Sequence, residues 1–160
     1  MSGPFPGDMT LNDAVGGVLD PEIDVTLAAL GVVRSVLTER DRVVVTLAPT
    51  RIGCPALGEI GRRVRAAVHR VAPGVAVQVE WLRGTWRPED VSGAGIRALT
   101  SAGYRVAGGD TSCPYCLSDD VTRAGRFGGG VCRTPFSCRS CGSSFDLLGT
   151  ATCGLRDDIT

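Results

Sequence analysis

Two Cys-x-x-Cys pairs constrain this chain more than any other feature. Cys113-Pro114-Tyr115-Cys116 is followed, after 21 residues, by Cys138-Arg139-Ser140-Cys141-Gly142. A tetrahedral metal needs four soft donors, and each pair grips one edge of the tetrahedron while the span between them closes the other. Gly142 permits the tight turn that a metal knuckle requires. Two disulfides could use the same residues, but the paired spacing and the lack of an export pattern favour metal. The segment 118–137 is rich in glycine and poor in apolar side chains. It cannot fold alone, so metal binding must supply most of its folding free energy. The spacing predicts a zinc ribbon over 111–150, although the same thiolate cage would also accept iron.

The remaining length then has to form something ordinary. A chain of 160 residues, 43% hydrophobic, suits one domain of about 100 residues with a small metal module behind it. Seventeen basic and seventeen acidic side chains cancel, so no global field draws the chain to an anionic partner. Arg123, Arg126, Arg133 and Arg139 lie near the ribbon, yet no aromatics interleave them and nucleic acid is not an expected partner. All seventeen bases are arginine, which reads as compositional bias rather than chemistry. No run approaches the roughly 18 apolar residues of a membrane helix. Residues 1–8 show no basic region leading into an apolar run, so neither membrane nor export is expected. Seven cysteines, an odd number, then belong in a reducing cytoplasm.

In chain order, residues 1–8 read as a frayed tail. Thr10 or Asn12 can cap a short helix carrying Leu11, Val15, Val18 and Leu19, which Asp20-Pro21-Glu22 breaks. Two β-rich runs, 32–37 and 42–47, joined by the polar 38–41, read as an antiparallel hairpin. A second helix places Leu57, Ile60, Val64, Ala67, Val68 and Val71 on one stripe, with Arg62, Arg63, Arg65 and Arg70 turned away. Pro73-Gly74 stops it, and Val75, Val77, Val79 and Trp81 then alternate as a strand buried on one face. The order predicts an α+β fold: a small two-layer α/β sandwich, helices over one face of a short sheet, followed by the C-terminal zinc ribbon. Ser92 can cap a short helix with Ile96 and Leu99, and Ala107-Gly108-Gly109-Asp110 reads as a linker. The expected division is 8–86, a connecting segment 87–110, and the ribbon at 111–150.

Cys54 is the second chemical candidate. Pro55 suits a first helical position, which sets Cys54 at the helix mouth, where unpaired N–H groups and the helix dipole favour a thiolate. Gly53 leaves room for a visitor. A small buried hydrophobe at a strand-to-helix turn would have the same sequence. His69, the only histidine, falls on a helix edge and reads as a surface residue.

Asp20-Pro21-Glu22-Ile23, Leu30-Gly31-Val32-Val33, Thr50 and Gly53-Cys54-Pro55-Ala56 together resemble the small SufT-like domain shared by cytosolic iron–sulfur assembly proteins. Trp86, Ser92, Gly95, Arg97 and Leu99, with the cysteine pairs and Phe145-Asp146, extend the likeness to the PaaD family. That family comprises accessory components of bacterial multicomponent phenylacetyl-CoA epoxidase systems. The resemblance implies a maturation role without turnover of its own. Cys54 would hold or pass on iron or an iron–sulfur cluster transiently, Asp20 and Glu22 would offer oxygen ligands nearby, and Cys113, Cys116, Cys138 and Cys141 would hold structural zinc. It further implies as partners a di-iron oxygenase, its flavin and [2Fe–2S] reductase, and iron–sulfur assembly proteins. Turn formation is the competing role for Asp20 and Glu22. Cys132 matches a family position and could pack, exchange electrons or add a fifth thiol, while Cys153 falls in an exposed tail.

Arg51-Ile52 departs from the Tyr-Ser usual in that family, and a tryptophan expected after Trp86 is missing. The target is therefore phenylacetyl-CoA epoxidase or a relative of it. Clusters usually need four protein ligands, and the first domain offers one cysteine. The rest would come from a second protomer in a homodimer, a partner, small thiols or the nearby acids. A docking component without metal delivery is the alternative function; a thiol enzyme would need a base beside Cys54 that the sequence does not supply.

Overall fold

The computed structural model describes residues 6–50, 55–125 and 133–149. The first helix, α1, runs Pro6–Gly16. It starts ahead of both expected caps, because proline is well suited to a first helical position, and so the tail reading of residues 6–8 is corrected. Leu11 and Val15 are buried as the spacing requires. The helix ends at Gly16, however, so Leu19 leaves the stripe: it forms an antiparallel bridge with Thr26 and is 41% exposed.

Strands β1 (Val33–Thr38) and β2 (Arg42–Leu47) pair antiparallel, with a bulge between Val33 and Ser35. Helix α2 (Leu57–Val71) then carries the chain across to β3 (Ala76–Trp81), which pairs parallel with β2. The resulting order, β1-β2-β3, makes β2 the central strand. Its Val43, Val45 and Leu47 are buried with Ile60, Val64, Ala67 and Val68 of α2. On β3, an edge strand, the alternating Val77, Val79 and Trp81 are only half-buried. Arg62, Arg63, Arg65 and Arg70 are exposed, and Val71 joins them at the helix end.

Beyond β3 a short 3-10 turn, Pro88–Asp90, leads to α3 (Gly93–Ser101). The Ser92 hydroxyl accepts from the Gly95 N–H at 3.0 Å, the expected cap. Leu99 is fully buried, while Ile96 lies outward at 46% exposure. Trp86 is buried, and its indole N–H donates to the Leu30 carbonyl at 2.7 Å. The family-like Leu-Gly turn and the connecting segment are thus joined by one buried hydrogen bond.

The second sheet has the order β4-β7-β6-β5, made of Tyr104–Val106, Ser144–Leu148, Arg133–Cys138 and Val121–Arg123. Three strands pair antiparallel as a ribbon, and β4 adds to β7 in parallel. The stretch read as a linker turns tightly here, with the Ala107 N–H bonded to the Leu148 carbonyl at 2.9 Å. Val106 and Leu148 belong to the same apolar core as Val15, Val45 and Val64. Among the described residues, the ribbon's own cluster is Cys113, Cys138 and Phe145, with Val121 and Phe136 against it. The α+β class, a two-layer sandwich followed by a ribbon, is the one the sequence pattern predicts.

Candidate metal centre

Cys113 and Cys138 each open a knuckle, and the two knuckles repeat the same backbone pattern. The Cys113 N–H donates to the Ser118 carbonyl and the Leu117 N–H to the Cys113 carbonyl; Cys138 with Ser143, and Gly142 with Cys138, do the same. Residues 117 and 142 both sit in the left-handed region, φ 61° and 76°. The sequence marks the second turn with glycine, whereas the first uses Leu117, 70% exposed and at a backbone cost of about 1–2 kcal/mol.

The four sulfurs converge within 4.8 Å of one another. Cys113 Sγ stands 3.7 Å from Cys141 Sγ, and Cys116 Sγ stands 3.5 Å from Cys138 Sγ. A zinc ion with Zn–S bonds of about 2.3 Å has tetrahedral edges of about 3.8 Å, so the cage suits one tetrahedral ion. A sulfur pair in a disulfide would lie at about 2 Å. Cys113 and Cys138 are buried and Cys116 and Cys141 exposed, which places one ligand of each pair in the ribbon's core and the other at the surface. An ion held there would crosslink the two knuckles and so supply the cohesion that three buried side chains cannot.

The four thiols are electrostatically unequal. Hydrogen bonds from the Ser143 hydroxyl and backbone N–H hold the Cys141 thiol down at about 6, against the opposing effect of burial. At Cys116 the Ser118 N–H also favours the thiolate, but burial and the thiols of Cys138, Cys141 and Cys113 outweigh it and push the group up to about 12. A thiol binds metal as the thiolate, so metal must displace protons to bind. Zinc affinity will rise with pH, by about tenfold or more between pH 6 and 8, in competition titrations against a chromophoric chelator. A flat profile would mean that binding displaces no protons.

Sequence reasoning missed the groups that support the knuckles. Arg105, 8% exposed, donates through Nε to the Ser112 carbonyl at 2.8 Å and through Nη2 to the Ser112 hydroxyl at 3.1 Å. It fixes the chain immediately before Cys113. Asp110 lies 3.4 Å from this guanidinium and is held below the usual carboxylate range by the Ser112 backbone and hydroxyl, with Arg105 adding to the effect. The hydroxyls of Ser118 and Ser140 meet at 2.7 Å and join the knuckles. An arginine at an inward position of a three-residue strand was the only signal available.

Among the described residues, these four cysteines are the one group of three or more metal-type ligands that converge. Cys54, Cys132 and Cys153, with Arg51, Ile52 and Arg126, lie outside the described residues. Asp20 is buried, and its Oδ1 accepts the Glu22 and Ile23 N–H groups at 2.8 and 3.1 Å. That is the turn-forming role. Glu22 is exposed, and its Oε2 lies 3.9 Å from Arg133 Nη2. Of the arginines near the ribbon, Arg139 pairs with Asp120 at 3.9 Å and Arg123 donates to the Gly125 carbonyl at 3.0 Å, while Arg133 is turned inward. His69 is exposed, with Nε2 3.0 Å from the Val75 carbonyl. No described helix is long and apolar enough to cross a membrane.

The fold and the cage define a class: a small α/β domain that carries a four-cysteine ribbon. Residues 10–81 match the family described as iron-sulfur cluster assembly protein, and residues 103–149 match the PaaD zinc beta ribbon domain. In that order the two modules make the chain PaaD-like. It is 28% identical over 139 residues to an Escherichia coli (strain K12) protein provisionally named as one of the subunits of 1,2-phenylacetyl-CoA epoxidase, covering 81% of this chain and 84% of that one. The crystal structure of a domain of unknown function, DUF59, from Bacillus anthracis superposes with a TM-score of 0.53 and 29% identity, covering 58% of this chain and 91% of that one.

Proposed function

We propose that this chain is a non-catalytic accessory factor that assists iron or iron–sulfur cofactor assembly in a di-iron oxygenase system of the phenylacetyl-CoA epoxidase type. The observation that carries the reading is the pairing, in one chain, of an assembly-type domain with a PaaD zinc ribbon whose four thiols converge on one ion-sized space. The division of labour follows from the donor sets. Cys113, Cys116, Cys138 and Cys141 hold structural zinc, because a closed four-thiolate cage leaves no open position for chemistry. Cys54 holds iron or a cluster in passing, with Asp20 and Glu22 as the acidic ligand candidates and the remaining ligands supplied from outside, by a partner or by a second copy. The oxygenase, its flavin and [2Fe–2S] reductase, and iron–sulfur assembly proteins are the partners of that reading, and the cytoplasm its compartment.

Anaerobic reconstitution with iron and sulfide checks it. The wild-type chain should bind iron beyond the ribbon's own metal, Cys54→Ser should lose that extra iron, and a co-expressed oxygenase should then purify iron-poor. Equal loading of the two proteins would remove Cys54 from the mechanism. The competing reading, a docking component without delivery, draws on the ribbon's being the one converged site among the described residues. It predicts that Cys54→Ser is silent while loss of a ribbon thiol is not.

A further inference from the structure

Arg133 opens β6 and Cys138 closes it, so one strand about 16 Å long carries a guanidinium at one end and a metal-site thiol at the other. That side chain is 13% exposed. It donates to the Tyr104 hydroxyl on β4 at 2.8 Å, stands 3.8 Å from Asp146 Oδ2 on β7, and reaches Glu22 Oε2 at 3.9 Å. Two of its partners lie in the ribbon sheet and the third in the first domain's acidic turn. A charge this far from water needs such partners, since leaving it unpaired would forfeit its hydration. Asp20 fixes the backbone of the turn, and the Glu22 carboxylate is what the turn extends to the ribbon.

We propose that Arg133 couples metal occupancy of the four-cysteine site to the position of Glu22, so that the 20–24 turn is fully held only when the ribbon is loaded. Leu148 ties β7 to the first domain's core, but β5 and β6 rest on the small cluster of Cys113, Cys138 and Phe145, which cannot by itself keep β6 in register on β7 without an ion. Once that register is lost, Arg133 no longer meets Tyr104 and Asp146, and its hold on Glu22 goes with them. The ribbon thereby reports its own completeness to the acidic motif of the other domain. The inference rests on the ribbon binding metal and not on iron reaching Cys54, so the two can fail separately.

Hydrogen exchange on the full chain, zinc-loaded and after chelation, tests the coupling. In the wild type, chelation should speed exchange at the Glu22, Ile23 and Asp24 amides by about two- to fivefold. Arg133→Met and Glu22→Gln, with zinc content verified, should show the same acceleration while loaded, and chelation should then add little, because the link is already cut. Arg139→Met, which removes only an exposed pair with Asp120, should follow the wild type. The proposal is overturned if chelation leaves these amides unchanged, if both turn-facing variants keep wild-type protection, or if Arg139→Met reproduces their effect.

Discussion

Replacing Cys138 by serine will strip the ribbon of its metal and unfold residues 111–149, leaving the first domain folded but weakened. Cys138 is 2% exposed, one of the three buried side chains of the ribbon's cluster among the described residues, and it supplies one of the four converged sulfurs. Structural zinc contributes on the order of 10–16 kcal/mol in small zinc-dependent folds, comparable with or larger than the net stability of a whole domain, about 5–15 kcal/mol. Loss of one ligand therefore outweighs anything the ribbon can retain. The first domain will soften because Leu148, which belongs to its core, leaves with the ribbon, and Val106 loses its strand partner. Metal content by mass spectrometry should fall from one ion per chain to near zero, and limited proteolysis should remove the C-terminal region first. A variant that keeps its ion and its wild-type melting profile would show that the cage does not hold the ribbon together.

The second large effect is expected far from any metal, at Gly31. Its φ is 69°, and a Cβ there would overlap the backbone carbonyl of Asp90. An alanine must therefore adopt a left-handed backbone and also push apart the junction between the first domain and the connecting segment. The neighbouring Leu30 carbonyl, which receives the Trp86 indole, would be displaced with it. Gly31→Ala should cost about 3 kcal/mol or more, lowering the melting temperature by roughly 10 °C in a chain of this size. Gly74→Ala separates the two causes, since φ is 80° there but nothing lies within 4 Å of a Cβ. Its cost should be the backbone part alone, about 1–2 kcal/mol. Equal effects at both positions would mean that the Asp90 contact carries no energy.

These two positions also show how far the sequence could be read. The cysteine spacing announced the cage, and the structure closes it with sulfur separations that match a single tetrahedral ion. The Leu30-Gly31 pair was recognisable as part of a family pattern, but its physical cause was not, because Asp90 and Trp86 lie more than fifty residues further along the chain. Helix α2 was legible from periodicity alone, since its Ile60, Val64 and Val68 repeat at the helical spacing. As a crossover between two strands it also suits the parallel pairing of β3 with β2, because parallel neighbours need a connection of this length. Leu19 shows the reverse, a residue in helical phase that the chain uses in a bridge once Gly16 ends the helix.

The sequence by itself determined the four-thiol site, the amphipathic helix, the hairpin and the α+β class, all of which depend on residue spacing within a few turns of chain. Only the tertiary structure decided that β4 adds to β7, that Val106 and Leu148 serve the first domain's core, and that Arg105 and Arg133 turn inward. The reason lies in the range of the forces. Periodicity and ligand spacing record energies among near neighbours, whereas strand partners and buried charges are chosen by which distant groups can exclude water together, and no short window of sequence contains both sides of that contact.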